Sequence, residues 1–314
     1  MIWVGWRQQR TEAAIAALVL VLLVALLVPT GIQMANAYRH DGLSACLGAN
    51  QSFDCGNAID AFRSRFGTLS GLINWFTLIP GLFGILLAAP FLIDLENGTY
   101  RLAWTQSISR TRWLAGKLGF AVAGTLLGCG ALILLVTWWH APFVHLEGRM
   151  GNSTYDAEGT VALGYGLFAL GVALAVGALW RRTAAALLVA FVAYFVARLT
   201  VDAWLRQRLL TPESAVFPRG RPGSILNHAW VVSQYPSDKA GHRLTFSACA
   251  HSVGAHRAVV DPACLAQRGV SYDHATYFPP HDFWALQGIE TALYGGVALL
   301  LIAFAAWWTH SRAA

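Results

Sequence analysis

The run Ala13-Ala-Ile-Ala-Ala-Leu-Val-Leu-Val-Leu-Leu-Val-Ala-Leu-Leu-Val28 decides the fold class of this protein. It contains no polar side chain, and the mostly apolar block extends to about Met34. A helix rises 1.5 Å per residue, so this block is long enough to cross the roughly 30 Å of hydrocarbon in a bilayer. An isolated strand would leave its peptide groups unpaired there, whereas a helix pairs its own. The block is therefore predicted to be a transmembrane helix.

Five further apolar blocks of similar length follow along the chain. Hydrophobic residues make up 56% of the 314 positions and charged residues 12%, about half of the charged share that is usual in soluble domains. The alternation that a membrane β-barrel requires is absent from these blocks. We therefore predict an all-α integral membrane protein, a single domain over residues 1–314 with six spans. The spans are expected at about 13–34, 69–93, 118–139, 161–179, 184–201 and 289–308.

Basic residues sort the connections between the spans into two sets. By the positive-inside rule, short connections rich in arginine and lysine face the cytoplasm. The rule predicts a multi-pass protein of the cell membrane with both termini in the cytoplasm. Residues 1–12 are expected to form an interfacial helix, and residues 202–288 a long outward loop. The basic residues concerned are Arg7, Arg10, Arg101, Arg110, Arg112, Lys117, Arg181, Arg182 and Arg312.

A second interpretation of the first block stays open. Arg7 and Arg10, the apolar run and Ala35-Asn36-Ala37 also fit a secretory signal with a cleavage site. Cleavage would leave five spans and would not change the direction of any later one. The length of the apolar run favours an uncleaved span.

Four of the five cysteines fall in predicted outward connections. Cys46 and Cys55 lie in the first, Cys249 and Cys264 in the long one, and Cys129 lies mid-span. An oxidising exterior favours one disulfide bond within each connection. The alternative is that all four are free thiols.

The inward connection after the second span, residues 94–113, is the most patterned of the short ones. Asn97-Gly98 predicts a turn and Thr99 the N-cap of a short helix through about Thr105. Ser107 or Ser109 is expected to cap the next helix. Such a rigid elbow, displaying Tyr100 and Trp104, predicts a surface for docking a soluble partner.

Two stretches resemble the ABC-2 type transporter permeases, most closely those common in actinobacteria. Pro90 to Lys117 looks like the coupling segment of these permeases, and Phe278 to Thr291 is similar to the segment that enters their last span. The resemblance implies two permease subunits, here a homodimer in membrane lipid, with two copies of a separate ABC ATPase subunit beneath them. The residues expected to transmit ATP-driven closure are Glu96, Gly98, Thr99, Tyr100, Arg101, Trp104, Ser109 and Arg110.

No catalytic or cofactor motif is found in the sequence. The pattern G-x-x-x-x-G-K-[ST] is absent, so ATP and Mg²⁺ are expected on the partner ATPase and no cofactor on this chain. Six of ten histidines lie in the long outward connection without H-E-x-x-H spacing, so we predict no metal site. The net charge of +6 follows from the topology and does not indicate nucleic-acid binding. The six histidines are His228, His242, His251, His256, His274 and His281.

Three charged residues lie inside or beside predicted spans. Glu290 opens the last span, and Arg198 and Asp202 end the fifth. Charges in hydrocarbon are expensive and tend to face a bundle interior or water, so they are either structural or part of a pathway. Arg198 and Asp202, four residues apart on one helix, are expected to pair with each other.

Three classes of function are compatible with these features. The first is an ATP-driven exporter permease that moves a hydrophobic or amphipathic molecule or lipid and has no catalysis of its own. The second is a membrane-embedded enzyme, which would need residues such as His251, His256, Asp282 and Glu290 to converge. The third is a sensor or assembly subunit whose elbow docks another soluble protein.

Overall fold

The computed structural model describes residues 2–46, 53–100, 109–219, 225–244, 250–252, 258–260 and 271–312. Within these ranges six helical segments are long and apolar enough to cross a membrane, which confirms the predicted all-α membrane fold. The helices are α1 Ile2–His40, α2 Leu43–Cys46, α3 Phe53–Ser70, α4 Ile73–Phe76, α5 Ile79–Glu96, α6 Arg110–Glu147, α7 Asn152–Glu158, α8 Val161–Trp180, α9 Thr183–Thr200 and α10 Phe283–Arg312.

The helices of the first and third spans are longer than the apolar blocks that predicted them. Helix α6 has 38 residues and is therefore about 57 Å long. It exceeds the roughly 30 Å of hydrocarbon, so its ends extend beyond it. Helix α1 runs from Ile2 to His40 without a break, so residues 2–12 are continuous with the helix of the first span. The interfacial location of this segment stays a prediction.

The second span differs most from its prediction. The block predicted at 69–93 is interrupted twice, after Ser70 and after Phe76, and only α5 continues to Glu96 as one helix. Gly71 favours the first break because glycine weakens a helix interior, and Pro80 stands in the first turn of α5, where a missing N–H costs nothing. The predicted outward connection before this span contains two helices, α2 and α3.

Helix α1 is part of the packed core. Leu27 and Met34 are fully buried, and the Trp139 indole N–H donates to the Thr30 hydroxyl at 3.0 Å. Ala35-Asn36-Ala37 lies within the helix.

Just beyond α1, Cys46 and Cys55 form the predicted disulfide bond. Cys129 is a buried free thiol, and the predicted Cys249 and Cys264 pair lies outside the described residues.

Helix α8 is the centre of the bundle, packed against α5, α9 and α10. Small residues allow this close approach, as is usual where membrane helices cross. A Cβ atom added to Gly84 of α5 would overlap the Gly166 carbonyl oxygen of α8, and one added to Gly171 would approach the Ala298 carbonyl of α10 to 3.1 Å.

The long connection before the last span contains strands that the sequence interpretation missed. A three-stranded antiparallel sheet has the order β1 Glu213–Pro218, β5 Tyr272–Phe278, β2 Trp230–Ser237. A separate pair is formed by β3 Ala250–Ser252 and β4 Ala258–Val260. Central strand β5 buries Ala275 and Phe278, so the connection is folded rather than a simple loop.

Gly84→Ala is expected to destabilise the bundle by about 1–3 kcal/mol, since the added methyl group meets backbone that cannot turn away. Gly119→Ala is the matched control, because a Cβ atom there meets nothing within 4 Å. The expected difference is measured by thermal unfolding of both purified variants, with size-exclusion chromatography to monitor the loss of folded protein. Equal transition temperatures for the two variants would contradict the packing.

Reduction of the disulfide bond is expected to destabilise the protein by about 2–3 kcal/mol, because the bridge closes a short loop in the unfolded chain. Its presence is measured by mass spectrometry of alkylated protein with and without reductant. Cys46 and Cys55 should be alkylated only after reduction, and labelling of both without reductant would contradict the bond.

Candidate functional site

Polar side chains collect at the two ends of the bundle. The end where α5 stops and α9 begins, with residues 94–113, is called the elbow end. The opposite end, which bears the strands, is called the sheet end. The sheet end contains a group of charged side chains that we call the arginine cluster, consisting of Asp156, Arg198, Asp202, Arg206 and Glu290.

Arg206 is the centre of the arginine cluster and is 1% exposed. Its Nε donates to Glu290 Oε2 at 3.0 Å, Nη1 to Asp202 Oδ1 at 2.7 Å and Nη2 to Asp156 Oδ1 at 2.6 Å. The guanidinium also lies 4.3 Å from the Tyr155 ring centroid. A planar fork of donors suits such multiple pairing, and a buried arginine requires it.

Arg198 pairs with a different partner from the one expected. Its Nη2 donates to Asp156 Oδ2 at 2.6 Å and its Nη1 to the Thr77 carbonyl oxygen at 2.9 Å. The predicted pair with Asp202 is wrong, because Asp202 bonds Arg206 instead. After α9 the chain widens into a π-helical turn, Val201–Leu205, and Arg206 follows it directly.

Glu290 is fully buried and accepts hydrogen bonds from two tyrosines in addition to Arg206. The Tyr165 hydroxyl donates at 2.8 Å and the Tyr155 hydroxyl at 3.1 Å. Burial raises the pKa of the Tyr155 phenol, which keeps it protonated as a donor. One turn earlier on α10, Gln287 accepts from the Val161 N–H at 2.9 Å. The arginine cluster therefore joins α7, α8, α10 and the end of α9.

Asp156 and Arg206 are the members of this cluster that the sequence interpretation missed. Both lie in connections that the interpretation placed outside the membrane, about 50 residues apart, and no spacing relates them to Glu290. A weak signal existed in Arg206 itself, four residues after Asp202, at the spacing of a helical ion pair. Nothing in the sequence indicated its burial.

At the elbow end a buried lysine fixes the start of the connection. Lys117 of α6 is 5% exposed, and its Nζ lies 2.6 Å from Asp94 Oδ2 of α5. The Thr99 hydroxyl donates to Asp94 Oδ1 at 2.9 Å. Gly98 lies in the predicted turn with a left-handed backbone, φ +69°. The Thr99 side chain, which was predicted to cap a following helix, is therefore described in a bond to the preceding helix α5. Arg101 and Trp104 lie outside the described residues.

Glu96 contacts the fifth span. Its Oε2 accepts the Thr183 backbone N–H at 2.9 Å and so satisfies one of the free donors at the start of α9. A carboxylate is favourable at this position, where the helix dipole is positive.

Tyr100 is 1% exposed and packs beside Trp113, so the expectation that it is displayed to solvent is wrong. An aromatic ring here gains more from the apolar core formed with Phe91 than from exposure. Ser109 occupies the N-cap position of α6 without a side-chain capping bond, and Arg110 follows as its first residue.

The residues proposed for a membrane-embedded enzyme do not converge in the described part of the chain. Glu290 is committed to Arg206, Asp282 lies beside the exposed His281, and the side chains of His251 and His256 are not described. No group of three His, Cys, Asp or Glu residues suited to a metal ion occurs among the described residues.

Ser70, His140 and Glu158 are nevertheless hydrogen-bonded in series, at 3.0 and 2.8 Å, in the order of a nucleophile, base and orienting carboxylate. The two N–H groups after Ser70 bond the carbonyl groups of residues 67 and 69. They therefore do not offer the paired donors that acyl transfer needs.

Comparison with known protein families matches residues 17–206 to the family described as ABC-2 membrane transporter related. The match covers more than half of the chain, from the first span to Arg206. The chain belongs to this family. The elbow end and most of the arginine cluster fall within the matched part of this ABC-2 permease, whereas the strands and α10 follow it. No curated protein and no solved structure matched the chain.

Arg206→Met is expected to destabilise the permease by about 3–5 kcal/mol, because it leaves three carboxylates without their shared partner in a buried site. Arg208→Met is the control, since Arg208 is exposed and stacks on Trp204. Thermal unfolding in detergent should show a large loss for the first variant only. Equal stability of both variants would contradict the geometry.

Proposed function

We propose that this chain is the permease subunit of an ATP-driven ABC exporter. Two copies would form the pathway, and two copies of a separate ATPase subunit, which carries ATP and Mg²⁺, would bind at the elbow end. The observation that carries the proposal is the attachment of the elbow to three spans at once. Asp94 with Lys117 joins α5 to α6, and Glu96 with Thr183 joins α5 to α9.

These attachments favour transmission of force. A displacement of residues 97–109 by a bound ATPase would be transmitted to α5 and α6 through the buried ion pair of Asp94 and Lys117. Rigid elements that move as one body can transmit such a motion, whereas a floppy loop cannot. Glu96, at the end of α5, would carry the same motion to the start of α9.

The proposed orientation puts the elbow end in the cytoplasm of a cell membrane. The elbow end carries basic residues in its short connections, including Arg110, Arg112 and the Arg181-Arg182 turn between α8 and α9. The sheet end carries the Cys46 and Cys55 disulfide bond, which favours an oxidising exterior. Both termini would then be cytoplasmic, and the strands would lie outside.

Lys117→Met tests the coupling. The variant is expected to retain the bound ATPase, because the docking surface itself is unchanged, and to lose transport-linked ATP turnover by about tenfold, equivalent to about 1.4 kcal/mol in the barrier. Arg112→Met is the control, since it removes one positive charge from an exposed site on the same helix. ATPase co-purification and ATP hydrolysis in liposomes are the two measurements.

Three results would contradict the proposal. The first is that no ATPase co-purifies with the wild-type chain. The second is equal turnover for Lys117→Met and wild type. The third is an equal loss for Arg112→Met, which would show that the effect comes from net charge rather than from the ion pair.

A further inference from the structure

A cavity of about 280 Å³ opens at the sheet end between the start of α5 and the end of α9. Its size is close to the lower limit of about 300 Å³ for small-molecule sites. The wall is mainly apolar, and its polar part is formed by Asn74, Thr77 and two charged residues of the arginine cluster. The wall residues used below are Trp75, Leu78, Phe195, Leu199, Arg198 and Asp202.

The apolar wall is open rather than packed. Trp75 is 70% exposed, Leu199 53% and Phe195 44%. These side chains stand at the boundary of the second and fifth spans, where lipid or an amphipathic molecule reaches the protein from the side. An apolar body can therefore rest on them while a polar headgroup enters the cavity.

The two charged residues of the wall are not equivalent toward a ligand. Both terminal nitrogens of Arg198 are already bonded, Nη2 to Asp156 and Nη1 to the Thr77 carbonyl, so its charge is largely satisfied. Asp202 bonds Arg206 through Oδ1, and its other oxygen has no hydrogen bond within the described part of the chain. The Asp202 side chain is 30% exposed. The Asn74 amide is bonded through both its nitrogen and its oxygen, and the Thr77 hydroxyl donates to the Asn74 carbonyl. The second carboxylate oxygen of Asp202 is thus the polar atom that remains for a ligand.

The net charge of the arginine cluster also favours a positively charged ligand. Three carboxylates, Asp156, Asp202 and Glu290, share the two guanidiniums of Arg198 and Arg206. One negative charge is therefore left over when all five are ionised, and Asp202 is the carboxylate of the cluster that borders the cavity, beside Arg198. A bound cation would balance it, whereas a bound anion would add to the excess.

We propose that this cavity binds the cationic headgroup of an amphipathic organic cation. Asp202 pairs with the cation, the face of Trp75 attracts it, and Phe195 with Leu199 supports the apolar tail. The inference rests on the proposed function in one respect, since it names this class of molecule as the transported substrate. At the end of the spans the cost of holding a charge is lower than at the bilayer centre.

The test uses the full chain in nanodiscs of zwitterionic phosphatidylcholine, with neither ATPase nor ATP. Binding of dodecyltrimethylammonium and of dodecyl sulfate, which share a tail and differ in headgroup charge, is measured by isothermal titration calorimetry below their micelle concentrations. Empty nanodiscs give the background. The cation is expected to bind saturably, and the anion is not.

Two pairs of variants identify the cavity. Asp202→Asn is expected to weaken binding of the cation about tenfold, which corresponds to about 1.4 kcal/mol. Its control Asp60→Asn removes an equally negative but exposed charge elsewhere. Trp75→Ala is expected to weaken binding about threefold, whereas Trp180→Ala at the elbow end is expected to change nothing. The Trp75 variant decides the question if Asp202→Asn fails to fold.

Saturable binding of the anion, no saturable binding of the cation, or equal losses in the control variants would overturn the inference. Occlusion of the cavity by a second copy of the chain would appear as absent binding and would also overturn it. If the cation does not bind but the ATPase remains coupled to the chain, only the proposed class of substrate is contradicted. If the cation binds but no ATPase associates with the chain, only the proposed exporter function is contradicted.

Discussion

The hydrogen bonds of the Arg206 guanidinium are the interaction on which the rest of the sheet end depends. A buried arginine is tolerated only with its charge paired and its donors satisfied. Here three carboxylates from three different parts of the chain provide those partners: Asp156, Asp202 and Glu290. The pairing fixes where the fifth span ends, how α7 lies across the bundle and where the last span begins.

The other end of the bundle is held in a different way. Among the described residues of that end, Asp94 and Lys117 form a buried ion pair, and the exposed Glu96 accepts a backbone N–H from Thr183. These contacts join α5 to α6 and α9, whereas the arginine cluster joins α7, α8, α10 and the end of α9 through the buried Arg206. This contrast is compatible with the proposed function, in which an ATPase subunit moves the elbow end while the sheet end keeps its geometry. In that arrangement the elbow end receives the motion and the sheet end acts as the fixed frame.

The sequence predicted those features that depend on local composition. Apolar length predicted six spans, Asn97-Gly98 predicted a turn, and two cysteines nine residues apart predicted a disulfide bond, because each signal is contained in one stretch of chain. The break in the second span was missed, since the apolar composition continues through Gly71 and hides it. The distant partners Asp156 and Glu290 were missed because tertiary packing brings them to Arg198 and Arg206. For Arg198, the neighbouring Asp202 gave the misleading local answer, since Asp202 bonds Arg206 instead.

The central claim is tested most directly by a double-mutant cycle on Arg206 and Glu290. The unfolding free energies of Arg206→Gln, Glu290→Gln and the double variant are compared with wild type. The double variant is expected to be more stable than the sum of the single losses implies, with an interaction energy of about 1–3 kcal/mol. Additive losses would contradict it, because they would mean that the two residues stabilise the bundle independently.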